Sequence, residues 1–481
     1  MSQTIHSILA LSIIFVCSSC ALRNNPNSGS SASGTQENGA PTKVDTKNAL
    51  SQVEMARKRV ALRSILRTGD YYQARNDALR AIEYYETAHW EIKNEPNITF
   101  RLANAYYEIR AFKKAADLYL QIGISDLDEP SKKRVLSSLI LDTERQDTKS
   151  IISTLAIRAE TKEYYSLLVD CANTPENCVS SIETSASKDV HITDLQLALK
   201  NARETSGDEI FIQALLMWKL YEQGAFLAVN KLGGKILEKR PDYRVVMKMS
   251  GYAAYELANY KEAAYLLDRY YQMDPKDMEV ANMLGIVNFL KEDYATSNLY
   301  FNAAVLGGYT PKVELERRLI YNYVLLGDSV WAFKVFNHLL ASPEAQPEDF
   351  QIALYMSDQS KELIQFKTWS MQALTMFPND ATIRVFVSKS FAYSGDITDS
   401  EVALEWALAL DPTNALGLIE QAKKYIAKGE YQSARESIDK LLGTDRSTYY
   451  REQAQKLLDG LPKWVFSTGS SDEVTNSPLT P

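Results

Sequence analysis

From about Leu50 to Leu461 the chain sets apolar and small residues at helical spacing, in short blocks broken by turn residues. The block TGDYYQARNDALRAIEYYETAHWEIKNEP, residues 68–96, reads as two helices. Gly69, Tyr72, Ala81, Tyr85 and Ala88 share one face, and Pro96 closes the unit. The next block, ITFRLANAYYEIRAFKKAADLYLQI, places Ala103, Tyr106, Ala115 and Tyr119 in the same pattern. Gly69 and Ala103, Ala81 and Ala115, and Tyr85 and Tyr119 stand in one register, each pair about 34 residues apart. A fixed period of that length predicts helix–turn–helix units that bury their apolar faces on one another.

The period is plainest in a ladder of prolines at 241, 275, 311, 343, 378 and 412, one to every repeat of about 34 residues. Met217, Gly251, Leu354 and Ser388 precede four of them by one constant offset. Within the ladder Gly251, Ala263, Leu267 and Pro275 mark the clearest unit. Gly285, Phe301 and Ala304 mark the next, then Gly327, Ala332 and Phe336. A weaker unit spans 350–378, and Gly395, Ala407 and Pro412 follow. Ala422, Gly429 and Ala434 mark the last, before TYYREQAQKLLDGL at 448–461, which reads as a capping helix for an otherwise open final face. Between 130 and 205 the helical pattern persists without these signatures and reads as degenerate helical hairpins.

These residues resemble tetratricopeptide repeats. Gly251, Ala263 and Pro275 match the family's small residue, close-packing alanine and terminal proline, as do Ser388, Gly395 and Pro412, and Ala422, Gly429 and Ala434. The resemblance covers 60–125 and 208–461. It implies an all-α fold, a right-handed superhelical solenoid of antiparallel helix pairs with a degenerate middle segment. The domain plan follows as N-terminal repeats over 50–129, hairpins over 130–205 and a regular array with its cap over 206–462.

In this family the first helices of the pairs line a concave groove. The repeat register puts Lys248, Tyr252 and Tyr255 there, then Asn282, Ile286 and Phe289, then Arg317, Tyr321 and Val324. Amide, cation and aromatic together suit a protein or peptide ligand: Asn282 for backbone, Lys248 or Arg317 for a carboxylate, the rings for an apolar side chain. The competing reading makes them ordinary packing and surface residues. The carboxylate clamp of one peptide-binding class is not reproduced, because Tyr252 stands where a clamp asparagine would follow Lys248.

The N-terminus carries an address. Residues 8–16 form an apolar run too short to span a membrane, followed by Cys17-Ser18-Ser19-Cys20. Small residues before Cys20 resemble a bacterial lipobox, which makes 1–19 a signal peptide and Cys20 the lipidated residue; a plain cleaved signal is the alternative. Residues 20–49, rich in Asn, Ser and Gly, are expected to form a disordered tether, and 463–481 a disordered tail. Cys171 and Cys178 in CANTPENC are expected to pair as a disulfide in an oxidising compartment, with free thiols second and a metal site third.

Apolar residues at 45% and charged residues at 24% are ordinary for a folded protein. A net charge of −8 with no basic run excludes the concentrated positive surface that nucleic acid requires. No HExxH, GxSxG or phosphate-binding GxxxxGK[ST] occurs, and Gly233-Gly234-Lys235 lacks the glycine and hydroxyl residue of the last. No catalytic residue, metal, cofactor or small-molecule substrate is therefore expected. The function expected is a lipid-anchored scaffold for protein–protein interaction in the bacterial cell envelope, in pilus, secretion or outer-membrane assembly. A surface glycan-binding lipoprotein, and an enzyme with its site in 130–205, are the alternatives.

Overall fold

A computed structural model of the chain describes residues 62–462 except 64, 93–94, 125–126 and 445–447. The expected signal peptide, Cys20, tether and tail lie outside the described residues. The described secondary structure is entirely helical. It falls into two compact units that divide between Thr310 and Pro311.

In the N-terminal unit, helical residues 65–74 precede α1 (Ala78–Glu91), α2 (Pro96–Glu108), α3 (Phe112–Ile122), α4 (Glu129–Leu141) and α5 (Thr148–Thr154). Then come α6 (Ala159–Asn173), α7 (Cys178–Glu183), α8 (Val190–Thr205), α9 (Glu209–Glu222) and α10 (Phe226–Lys239). The unit ends with α11 (Arg244–Glu256), α12 (Tyr260–Met273), α13 (Met278–Leu290) and α14 (Tyr294–Leu306). One buried cluster runs from Ala81 to Ala253 through the irregular middle. The C-terminal unit holds α15 (Lys312–Leu325), α16 (Ser329–Leu340), α17 (Pro347–Gln359), α18 (Leu363–Met376) and α19 (Ala381–Tyr393). It continues with α20 (Ile397–Leu410), α21 (Ala415–Lys428), α22 (Tyr431–Thr444) and α23 (Thr448–Asp459). Its core centres on Phe336, Phe350, Phe366 and Trp369, with a smaller cluster under the last three helices.

The closest pairs keep glycine in the first helix where the second helix crosses. A Cβ on Gly251 would lie 2.6 Å from Leu267 Cγ, and one on Gly285 would lie 2.4 Å from the Phe301 ring. Only glycine lets those backbones approach so closely.

The turn inside each pair is equally regular. One left-handed residue ends the first helix at Gly224, Ala258, Glu292, Gly327, Lys361, Gly395 and Gly429. Each follows the one before it by a single repeat of about 34 residues. The following N–H returns to a carbonyl five residues back, as from Asn259 to Ala254 at 2.8 Å and from Asp328 to Tyr323 at 2.8 Å, which satisfies the helix end. That same following residue often caps the second helix. Asn259, Asp293, Asp328 and Asp396 each accept the backbone N–H three residues on. Asn76 and Arg110 hold the equivalent left-handed position in the first two pairs.

The middle segment departs from this plan in its second helices. α5 has seven residues and α7 six. Among the described residues no positive φ occurs between Gly123 and Gly224. α8 packs on α9, and α10 packs back on α6. Cys171 and Cys178 are bonded, with sulfurs 2.02 Å apart, and tie the end of α6 to the start of α7 across a short 3-10 turn at Pro175–Asn177. Both cysteines are buried.

Candidate functional site

The positions read as a groove lie on first helices, Lys248 to Phe289 in the N-terminal unit and Arg317 to Val324 in the C-terminal unit. Lys248, Asn282, Arg317 and Gln351 stand three residues before Gly251, Gly285, Ile320 and Leu354, so they are one position repeated. Each reaches forward to the start of the next pair. Lys248 Nζ donates to Asp277 Oδ2 at 2.6 Å. Asn282 Nδ2 donates to Tyr309 Oη at 3.0 Å. In the C-terminal unit Arg317 donates from Nε to Asp349 Oδ1 at 2.9 Å and from Nη2 to Asp349 Oδ2 at 2.8 Å. Gln351 Nε2 lies 3.3 and 3.2 Å from the two carboxylate oxygens of Asp380.

The three aspartate acceptors are helix-start residues with a second duty. Asp277 and Asp380 also accept backbone N–H groups at the starts of α13 and α19, while Asp349 accepts the N–H of Gln346 in a capping box. An anion at a helix N-terminus is already favoured by the helix dipole, and the cation adds to it. Burial alone would push the Asp277 carboxyl up, but hydrogen bonds from Lys248 and Tyr270 outweigh it and hold the group below its usual range. Burial, then the Asp277 carboxylate, pushes the Tyr270 phenol up to about 12. The polar groups that sequence assigned to ligand capture thus have inter-repeat partners already.

The aromatic positions differ among themselves. The Tyr252 ring lies 5.8 Å from Lys248 Nζ, and burial raises its phenol before the nearby Asp277 and Glu279 add to the effect. Tyr255 is buried beneath the Arg110 guanidinium, which stands 4.4 Å from its ring centroid. Arg110 also donates to Glu256 Oε2 through Nε at 3.1 Å and Nη2 at 3.0 Å, closing α2 onto α11 across 146 residues. Phe289 meets Tyr294 at 5.6 Å, Ile286 is buried, and Tyr321 and Val324 belong to the C-terminal core.

Two clusters in the C-terminal unit escaped the sequence reading. On α17 and α19, Asp358 receives Lys389 Nζ at 2.6 Å and Tyr393 Oη at 2.5 Å, with Glu420 Oε1 3.7 Å from Lys389. Tyr393 remains substantially exposed, whereas the Asp358 and Lys389 side chains are largely buried in their pair. Beside it, Lys424 Nζ donates to Ser388 Oγ, Ser400 O and Ser400 Oγ at 3.1, 2.9 and 2.8 Å. The two serines are buried where the helices cross, which makes this a packing device rather than an accessible nucleophile. A signal did exist for part of the first cluster: Tyr355, Asp358 and Lys389 recur at the positions chosen in the preceding units, while Tyr393 stands one residue beyond them. Among the described residues no group of three or more His, Cys, Asp or Glu is arranged to hold a metal ion, and no helix is long and apolar enough to cross a membrane.

Residues 248–310 match the tetratricopeptide repeat family model. Solved structures similar to this chain include the C-terminal part of a TPR repeat-containing protein from Cytophaga hutchinsonii, 15% identical. It covers 52% of this chain and 99% of its own, at a TM-score of 0.41. YrrB, a TPR protein with an unusual peptide-binding site, is 17% identical, with 40% of this chain and 99% of its own covered, at a TM-score of 0.33. Yeast Tom70 is 13% identical over 84% of this chain and 96% of its own, at a TM-score of 0.32. No curated protein matches the sequence.

Proposed function

We propose that this chain, which carries tetratricopeptide repeats at 248–310, is an exported, lipid-anchored scaffold that binds a protein or peptide while a cell-envelope complex is assembled or stabilised. The observation that carries the binding half is the first-helix face of the C-terminal unit, where Tyr355, Asp358, Lys389 and Tyr393 stand together beside an exposed ring. Paired charges beside aromatic rings recognise extended polypeptide through backbone hydrogen bonds and side-chain stacking. The export half draws support from the apolar run at 8–16 with Cys20 after it, and from the Cys171–Cys178 bond, which persists where thiols are oxidised. A long tether after Cys20 would keep the repeats near a membrane without fixing their orientation.

Two measurements test this reading. Cys20→Ala should move the protein from the membrane fraction to the soluble one; unchanged fractionation rejects the anchor. Crosslinking in the native envelope, followed by capture from detergent, should recover the same partner set reproducibly. Recovery of the protein alone rejects the scaffold.

A further inference from the structure

Tyr449, at the start of α23, makes a contact that its own helix does not need. Among the described residues of 448–462 only Ala454 and Leu461 are buried, and they cap the last pair against Leu418, Ile419 and Leu441. Tyr449 lies outside that cluster. It reaches instead to Tyr355 on α17, 94 residues earlier, with the two hydroxyls 3.0 Å apart. The rings meet edge to face with centroids 6.5 Å apart, and Tyr450 stands edge-on to Tyr449 at 5.1 Å. Burial raises the Tyr355 phenol, and the Tyr449 hydroxyl bonded to it adds to the effect.

Tyr355 stands one residue after Leu354, as Tyr252, Ile286 and Tyr321 stand after Gly251, Gly285 and Ile320. That is the slot from which the sequence reading expects a first helix to present a side chain to a ligand. Here Tyr449, from a distant part of the same chain, already rests on it. An edge-on aromatic contact with a shared hydroxyl hydrogen bond selects tyrosine over an aliphatic residue, because an aliphatic occupant leaves the Tyr355 hydroxyl without that partner. Asp358, bonded to Lys389 and Tyr393, gives the subsite a polar border.

We propose that Tyr449 is a built-in occupant of an aromatic subsite on α17, which a partner polypeptide takes by presenting a tyrosine of its own. The proposal rests on the protein-binding reading above and names the chemistry of its ligand. The helix that carries it is anchored by buried Ala454 and Leu461 with half-buried Tyr450, Leu457 and Leu458 beside them, whereas Tyr449 stands outside that cluster and its side chain swings away without undoing the cap. Being tethered, the occupant acts at an effective concentration on the order of millimolar, so a partner must add contacts beyond the tyrosine to displace it. The device therefore rejects weak aromatic peptides and admits a ligand that also engages the neighbouring face.

The test uses the full chain and a fluorescein-labelled synthetic peptide of residues 446–461, with a second peptide in which both tyrosines are alanine. Against wild type the tyrosine peptide should bind poorly. Against Tyr449→Ala it should bind about tenfold more tightly, roughly the worth of one edge-on aromatic contact with its hydrogen bond. The alanine peptide should show no gain, and adding Tyr355→Ala should abolish the gain. Tyr449→Phe, which keeps the ring, should give an intermediate gain and guards against misfolding of the alanine variant. Absence of the gain, or its survival without Tyr355, overturns the subsite. Envelope capture separates the two readings. A partner recovered equally by wild type and Tyr449→Ala sinks the subsite and spares the scaffold, whereas a peptide gain with no partner recovered does the reverse.

Discussion

Arg317 grips Asp349 at two points, Nε on Oδ1 at 2.9 Å and Nη2 on Oδ2 at 2.8 Å, and so fastens α15 to the start of α17. Asp349 is almost wholly buried and also holds the N–H of Gln346. Arg317→Met would leave that carboxylate without its counter-ion and should cost about 2 kcal/mol of unfolding free energy in urea, the usual penalty for orphaning a mostly buried acceptor. Arg317→Lys keeps the charge and loses the fork, so it should recover only part of the loss. Equal stability of wild type and Arg317→Met would mean that the pair is solvated in solution.

The helix pairs were legible in the sequence because close crossings demand particular residues. Gly251 and Gly285 cannot be replaced without meeting Leu267 and Phe301, and the prolines mark loops between pairs. Those prolines drift by two residues either way, since a loop tolerates proline at several places. The left-handed turn residue keeps time far better, yet it was hidden wherever Ala258, Glu292 or Lys361 takes the place of glycine. The roles of Lys248, Asn282 and Arg317 were hidden for another reason. A cation on a first helix looks the same whether it awaits a ligand or holds the acid that starts the next pair, and only the packing brings that acid within hydrogen-bond reach.

At Glu292 and Lys361 the side chain adds steric cost to a left-handed backbone, and both residues are exposed. Glu292→Gly and Lys361→Gly should each raise stability by about 0.5–1 kcal/mol, the relief of the strained conformation less the entropy that glycine gains when unfolded. Thermal or urea unfolding reads this directly. A loss of stability in both would show that their side chains contribute more than the turn costs.

The Lys248–Asp277 pair fixes the sign of an acid effect. Asp277 titrates below its ordinary value of about 3.9 when folded. Its contribution is therefore complete above that unfolded value and is lost as pH falls through the folded one. Lys248→Met removes the strongest of the hydrogen bonds that lower it. The stability gap between wild type and Lys248→Met should accordingly be widest near neutral pH and narrow below pH about 4. A gap that is flat with pH would discount the pair.

Lys424 gives a slope of the same sign in an alkaline window. Burial is the first cause of a folded value below the ordinary lysine range, so the unfolded chain binds the proton more readily. The penalty is present below the folded value and fades as pH rises towards about 10.4, which makes stability climb with pH across that window. Lys424→Met should flatten the climb, measured as the difference between the two proteins so that the titrating tyrosines cancel. Parallel curves would assign no linkage to Lys424.

The left-handed positions at 224, 258 and 292 impose on this stretch something like a second, coarser reading frame. Removing residues 259–292 would bring Asp293 directly behind Ala258, where Asn259 stood. The bend and its capping side chain would both survive the join. Removing one residue more or fewer would put a helical residue at the bend and a bend residue in a helix. Gains and losses of sequence between Gly224 and Glu292 are thus tolerated only in whole bend-to-bend steps, so a lineage could alter the number of modules far more readily than the length of any one.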